Sequence, residues 1–279
     1  MMRVLPLILL LFSIPSFAAA EELKIVTYNI ESGSDTQPHL VAADMAEVGQ
    51  ADIWLLQEVA READVFQLLN RTGNGRWNYL LSKSGNYNSA SGHNDQLAIL
   101  FNTRALDLLE EVELHATRVR ADGSPWPNLR AVQFARFRHR QSGEEFWVGN
   151  LHQKCCRDSA DVRAEQSRVM MEWIKKADVP VILGGDFNVP VEPQDRAGNP
   201  RSGSFRIISQ TLDWQRPSNP MPTHCGEQST SMLDHFFTSR ALNSWNPRTE
   251  IALTSAEYCA SESQGGADHR PVVLTLDTP

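Results

Sequence analysis

Short apolar runs that end in clusters of Asp, Asn, Glu and His recur along this chain. They constrain its fold more than any other feature. The clusters are Tyr28-Asn29, Gln57-Glu58, Asn150-Leu151-His152, Gly184-Gly185-Asp186-Phe187-Asn188, Leu233-Asp234-His235 and Asp268-His269-Arg270-Pro271. Each apolar run reads as a strand. Strand ends hold side chains rigidly and can aim them into a shared cleft. Carboxylates and amides gathered near strand termini are costly without a partner. A hard divalent cation supplies one, because Mg²⁺ and Ca²⁺ prefer oxygen ligands.

The same pattern places strands at 23–28, 53–57, 77–81, 96–101, 131–138, 145–150, 181–185, 233–237 and 272–276. Helices are expected at 38–48, 63–69 and 159–177. In the last of these Val162, Gln166, Val169, Met170 and Trp173 recur at helical spacing, and Pro180 stops it. Residues 82–94 are rich in Ser, Gly and Asn and read as a loop. Many strands and few helices, without regular β-α alternation, predict an α+β domain built on stacked sheets.

Arg3, an apolar run over 4–17 and the small residues Ala18, Ala19 and Ala20 have the form of a secretory signal peptide, 1–20, cleaved before Glu21. The alternative is a membrane anchor, for which the run is short and carries two prolines. The expectation is one catalytic domain over 21–279, monomeric, secreted or periplasmic. The formal charge of −8 becomes −9 in that mature chain, 25 basic against 34 acidic residues, because only Arg3 leaves with the leader. This counts against a simple basic-groove nucleic-acid binder. It leaves room for an enzyme that meets phosphates through a bound cation. Cys155, Cys156, Cys225 and Cys259 would meet an oxidising compartment, so one or two disulfide bonds are expected, with three connectivities open.

Within 184–188, Asp186 and Asn188 alternate across Phe187, so both point one way while Phe187 packs the other. A carboxylate and an amide so placed can hold a water and a phosphoryl oxygen. The paired glycines would let backbone approach a ligand closely. Asp268 beside His269 suits a metal ligand next to a general acid or base. His39, His115, His139 and His224 are set aside as surface or core residues, and His235 is expected to pack on the face opposite Asp234.

Taken in order, these clusters resemble the endonuclease/exonuclease/phosphatase superfamily, and within it the deoxyribonuclease-I-like enzymes. The resemblance is carried by 23–30, 52–59, Asn150-Leu151-His152, 184–188, Leu233-Asp234 and Ala267-Asp268-His269. It implies a four-layer α/β/β/α sandwich, two packed mixed sheets flanked by helices. It also implies roles. Glu58 would be the main metal ligand with Asn29 and Asp268 beside it, and Mg²⁺ the first choice of cofactor over Mn²⁺ or Ca²⁺. Asp186 and Asn188 would position the attacking water and touch the scissile phosphate. His269 would be oriented by Asp234 and His152 by Asp95. Arg130 and Asn150 would bind phosphate.

The expected activity is hydrolysis of DNA or RNA phosphodiester bonds by a metal-activated water with His/Asp acid-base pairs. A sphingomyelinase-like phospholipid phosphodiesterase is the alternative, with Trp126 as its membrane-docking residue. A non-catalytic binding module of the same fold is a third, disfavoured because every core polar position is present. Inositol phosphatases carry a longer extension where this chain has Val189-Pro190. Two positions depart from the pancreatic-type nucleases. Ala60 stands where they carry a minor-groove arginine, and His93 where they carry a tyrosine.

Overall fold

Leu23 and Ile25 alternate with Val26 and Tyr28, and the two sets face opposite ways. That alternation explains the layers. The computed structural model describes residues 21–32, 36–72, 76–83, 95–114, 118–126, 130–226, 229–255 and 265–279. The expected leader, His93, His115 and Cys259 lie outside these residues.

One sheet comprises β1 (Glu21–Asn29), β2 (Ile53–Val59), β3 (Trp77–Leu81), β4 (Gln96–Asn102), β12 (Arg248–Ile251) and β13 (Val272–Thr278), in the order β12-β13-β1-β2-β4-β3. The other comprises β5 (Leu106–Leu114), β6 (Val132–His139), β7 (Glu145–His152), β8 (Val181–Val191), β9 (Leu212–Gln215), β10 (His224–Gly226) and β11 (Ser229–Ser239). Its order is β10-β11-β8-β7-β6-β5, with β9 on β11. The central pairs β1–β2 and β7–β8 are parallel and the remaining pairs antiparallel. Helices α1 (Pro38–Val48) and α2 (Glu62–Thr72) cover the first sheet, and α3 (Ala160–Ile174) and α4 (Gly203–Ile208) the second. This is the four-layer arrangement.

Ile25, Ile53, Leu55 and Ile99 face the second sheet, while Val26, Trp54, Leu56 and Leu100 meet α1 and α2. Phe101 of β4 and Phe137 of β6 touch across the sheets, ring centroids 5.1 Å apart. Each fully buried ring of this size contributes about 1.5–3 kcal/mol. Against the second sheet, Trp173 of α3 stacks on Phe134 at 4.1 Å.

β5 was missed because Glu110, Glu111 and Glu113 break any apolar run. As an exposed edge strand it needs charge more than hydrophobicity. β8 does not end at Gly185 but runs to Val191, carrying Asp186 and Asn188 inside it. Its partner β11 accommodates this by a register shift between Met232 and Asp234. Trp126 is half-buried beneath Arg120, whose guanidinium carbon lies 4.7 Å from its ring centroid. It stands on a small hairpin closed by a bridge between Val119 and Pro125. Among the described residues no helix is long and apolar enough to cross a bilayer.

The two glycines correct the reading of their role. A Cβ on Gly184 would sit 2.5 Å from Phe236 and 2.8 Å from Leu55, in the contact between sheets. One on Gly185, whose φ is +148°, would lie 2.0 Å from the Leu151 carbonyl oxygen. They admit neighbouring protein rather than a ligand, because the central strands approach closely here.

Candidate active site

The C-terminal ends of both parallel strand pairs open on the same side of the sandwich. In the second sheet His152, Asp186 and Asp234 are register partners on β7, β8 and β11. From the first sheet Asn29 and Glu58 close over this row. Glu58 has φ 55°, a left-handed backbone rare for a residue with a side chain. It lies where the β2–β4 register shifts between Leu56 and Val59. The bulge re-aims its carboxylate, a use of local strain common at functional sites.

One oxygen is the hub. Asp186 Oδ2 accepts from Asn29 Nδ2 at 3.3 Å and from Asn188 Nδ2 at 3.1 Å. His152 Nε2 lies 3.4 Å from it and His269 Nε2 4.0 Å. The other oxygen accepts from the Asn188 backbone N–H at 2.7 Å. Burial and the neighbouring Asp234 push the Asp186 pKa up, against the opposing pull of His152 and His269. Phe187 turns away onto Phe237 and His235.

Each imidazole leans on a carboxylate. His269 Nδ1 is 2.7 Å from Asp234 Oδ2, and Asp234 is fully buried. Burial disfavours the imidazolium, yet Asp234, Asp186 and Asp268 together hold the His269 pKa well above its ordinary value. His152 Nδ1 is 3.2 Å from Asp95 Oδ1. Burial and Arg130 lower its pKa, but Asp95 and Asp186 more than offset them and it ends raised.

Three of the expected site residues make contacts within the protein that bear on their roles. Asn150 was expected at the phosphate but is fully buried. Its Nδ2 donates to the carbonyls of Leu56 and Ala98 at 2.9 and 3.0 Å, and its Oδ1 accepts from Gln57 at 2.7 Å. All its polar capacity is spent tying the two sheets together. Arg130 was also assigned to phosphate. It lies behind Asp95, with Nη2 2.7 Å from that carboxylate and Nη1 donating to the Gln153 carbonyl at 3.4 Å. It therefore braces the orienter of His152. Asn29 was expected as a metal ligand, but its oxygen accepts from the Glu31 N–H at 3.2 Å and its nitrogen donates to Glu58 at 2.9 Å. As placed, it is a donor between two carboxylates.

Among the described residues, two groups of side chains have the spacing to hold a cation. Glu58, His152 and Asp186 form one, and His224, Asp268 and His269 the other. Asp268 thus stands with histidines rather than in the Glu58 group. His224, set aside on sequence, has Nε2 3.3 Å from Asp268 Oδ2. Burial raises the Asp268 pKa, but His224 and His269 outweigh it and leave the pKa lowered. Nothing local in the sequence marks His224, which meets Asp268 only through a bridge to a distant segment. Gln153 was also missed. Its carbonyl accepts from Asn188 and Arg130, and its side chain is anchored on Ser167 and Ser204. Of the other histidines, His39 is exposed and His139 is buried near Glu21, with Nε2 3.5 Å from that carboxylate. His235 packs among Phe187, Phe205 and Trp214.

Two stacked mixed sheets with two carboxylate-oriented imidazoles around a buried Asp define a hydrolase of phosphoric esters. Residues 26–269 match the Endonuclease/Exonuclease/phosphatase family, and the chain belongs to it. Nocturnin of Drosophila melanogaster is 44% identical over 64 residues, 21% of this chain but only 10% of that protein. Among solved structures, a family protein from Bacteroides thetaiotaomicron is similar at TM-score 0.67 and 20% identity, covering 94% of this chain and 100% of that one. The mannosyl-6-phosphatase Bt3783 of the same species gives TM-score 0.65 and 19% identity, covering 90% and 98%. D. rerio TDP2 complexed with a single-strand DNA product gives 0.63 and 16%, covering 92% and 99%. At these identities the likeness is one of fold. Enzymes of this family depend on divalent metals, and the groups around Glu58 and Asp268 offer candidate ligands.

Proposed function

We propose that this protein is an exported, Mg²⁺-dependent phosphodiesterase acting on nucleic acid. The observation that carries the reading is the convergence of His152, His269, Asn29 and Asn188 on one oxygen of buried Asp186, with Glu58 alongside. The carboxylate oxygens of Glu58 and Asp186 suit a hard cation. When bound, such an ion supplies charge to the phosphoryl oxygens and lowers the pKa of a coordinated water.

The chain's own groups do the rest. Asp186, at the centre of the row, receives the proton of the attacking water. The amides of Asn29 and Asn188 hold Asp186 in place, Asn29 donating to Glu58 and Asp186 and Asn188 to Asp186 and the Gln153 carbonyl. His269, held protonated by Asp234, stabilises the developing negative charge and gives a proton toward the departing oxygen. His152, oriented by Asp95 and Arg130, supplies the second cationic donor. Each acid or base contributes about 10²–10⁴ in rate.

Nucleic acid is preferred to lipid on the DNA-product complex of a protein with this fold. Trp126, half-buried under Arg120 on a small hairpin, keeps a phospholipid as the second reading. The composition of residues 1–20 and the bonded sulfur of Cys225 support the exported reading. Incubation of the purified protein with plasmid DNA, RNA, sphingomyelin liposomes and a sugar phosphate, with Mg²⁺ or with EDTA, tests the reading. Metal-dependent cleavage of DNA or RNA is expected. Product from liposomes or sugar phosphate alone would overturn it.

A further inference from the structure

The segments around His224 and His269 are zipped together by backbone. His224 and His269 form an antiparallel bridge. The Cys225 N–H donates to the Asp268 carbonyl at 3.0 Å, and the Arg270 N–H to the Thr223 carbonyl at 2.6 Å. Paired residues across such a bridge send side chains to the same face. The two imidazoles accordingly stand with ring centroids 4.8 Å apart and planes at 54°. Asp268 reaches between them. His224 Nε2 is 3.3 Å from its Oδ2 and His269 Nε2 3.9 Å from its Oδ1.

We propose that His224, Asp268 and His269 form a second cation site, selective for a borderline transition metal of the Zn²⁺ class and distinct from the oxygen-rich Glu58 group. Ligands about 2.0–2.1 Å from a tetrahedral zinc stand about 3.3 Å from one another. Of the three edges, His224–Asp268 already has that length at 3.3 Å, His269–Asp268 is 3.9 Å to the other carboxylate oxygen, and all three ligand atoms lie within 4.8 Å of one another. Two imidazoles with one carboxylate suit Zn²⁺, whereas carboxylate and carbonyl sets suit Mg²⁺. His269 also has the outer partner that metal-bound histidines carry. Its Nδ1 is fixed 2.7 Å from Asp234, which leaves Nε2 as the ligand nitrogen.

Occupancy would displace the Nε2 proton of His269 to solvent and hold that nitrogen on the metal. On the phosphodiesterase reading, which this consequence rests on and the site does not, Zn²⁺ silences the enzyme even in excess Mg²⁺.

The test titrates Zn²⁺ into the chelator-washed protein in excess Mg²⁺, against a chromophoric competitor, with Co²⁺ absorption as a report of geometry. One Zn²⁺ per chain and an intense tetrahedral Co²⁺ spectrum are expected. His224→Ala should weaken binding more than the roughly 10–100-fold that loss of an outer partner costs. His224→Gln, which keeps a polar group against Asp268, should do the same if the alanine variant folds poorly. Glu58→Gln should leave the Zn²⁺ affinity within about threefold. No uptake in excess Mg²⁺, or equal affinity in a folded His224 variant, overturns the site. Full DNA hydrolysis by the zinc-loaded protein overturns the silencing. Failure of the metal-washed protein to cut nucleic acid in Mg²⁺ alone would count against the phosphodiesterase reading, and the binding titration would still decide the site.

Discussion

His152 and Asp186 are register partners on the parallel strands β7 and β8, and His152 Nε2 stands 3.4 Å from Asp186 Oδ2. Backbone pairing therefore fixes the distance between an imidazole and the carboxylate at the hub of the site. Asp186→Asn preserves the shape of that hub and removes its ability to take a proton. Turnover of a nucleic-acid substrate should fall by about 10²–10⁴. The thermal transition should fall modestly, because the asparagine NH2 meets the N–H donors of Asn29 and Asn188 that the carboxylate accepted. Initial rates and a melting curve on the same preparation check both halves.

Asp234→Asn tests how His269 is poised. Asp234 is the main group raising that imidazole above its ordinary pKa. In metal-free protein, followed by NMR, the His269 titration should move down in the variant. A raised histidine pKa contributes stability that is complete below the unfolded value of about 6.5 and is lost as pH rises through the folded one. The variant should therefore lose stability relative to wild type mainly on the acid side of that window. An unchanged His269 titration would show that Asp234 does not control it.

His235 carries the opposite sign. Burial lowers its pKa to about 4, and its Nε2 is 3.0 Å from the Val189 carbonyl. The folded chain keeps it neutral while the unfolded chain protonates it near 6.5. Its contribution is complete above about pH 6.5 and is lost as pH falls toward 4, amounting to about 3 kcal/mol. Urea unfolding at pH 7 and at pH 4.5 should show this loss in wild type. In His235→Phe the acid-side loss should shrink, and persistence of the full loss would assign it elsewhere.

Asn150→Ala should act on stability, not on substrate. It strands the Leu56 and Ala98 carbonyls and deprives Gln57 of an acceptor. Unsatisfied buried groups cost about 1–3 kcal/mol each, so a loss of about 3 kcal/mol or more is expected in urea. KM for any substrate of the folded variant should be unchanged. A selective rise in KM would return Asn150 to a phosphate role.

The chain's own pattern determined the layers and most of the cleft. The unbroken apolar run 53–56 marks a strand covered on both faces, and many such runs with few helices point to stacked sheets. The polar clusters at their ends announced a shared site because nothing else stabilises so many carboxylates and amides there. Fold and family were legible for that reason. The sequence could not tell which polar residues face the cleft and which bind the sheets to each other. Asn150 and Asp186 look alike as strand-end polar groups, yet register puts one between the sheets and the other at the mouth. His224 and Asp268 are far apart in the chain, and one β-bridge makes them neighbours. Side-chain identity is local, whereas the pairing of strands is set by the sum of all their contacts. The tertiary structure alone therefore decided which groups meet.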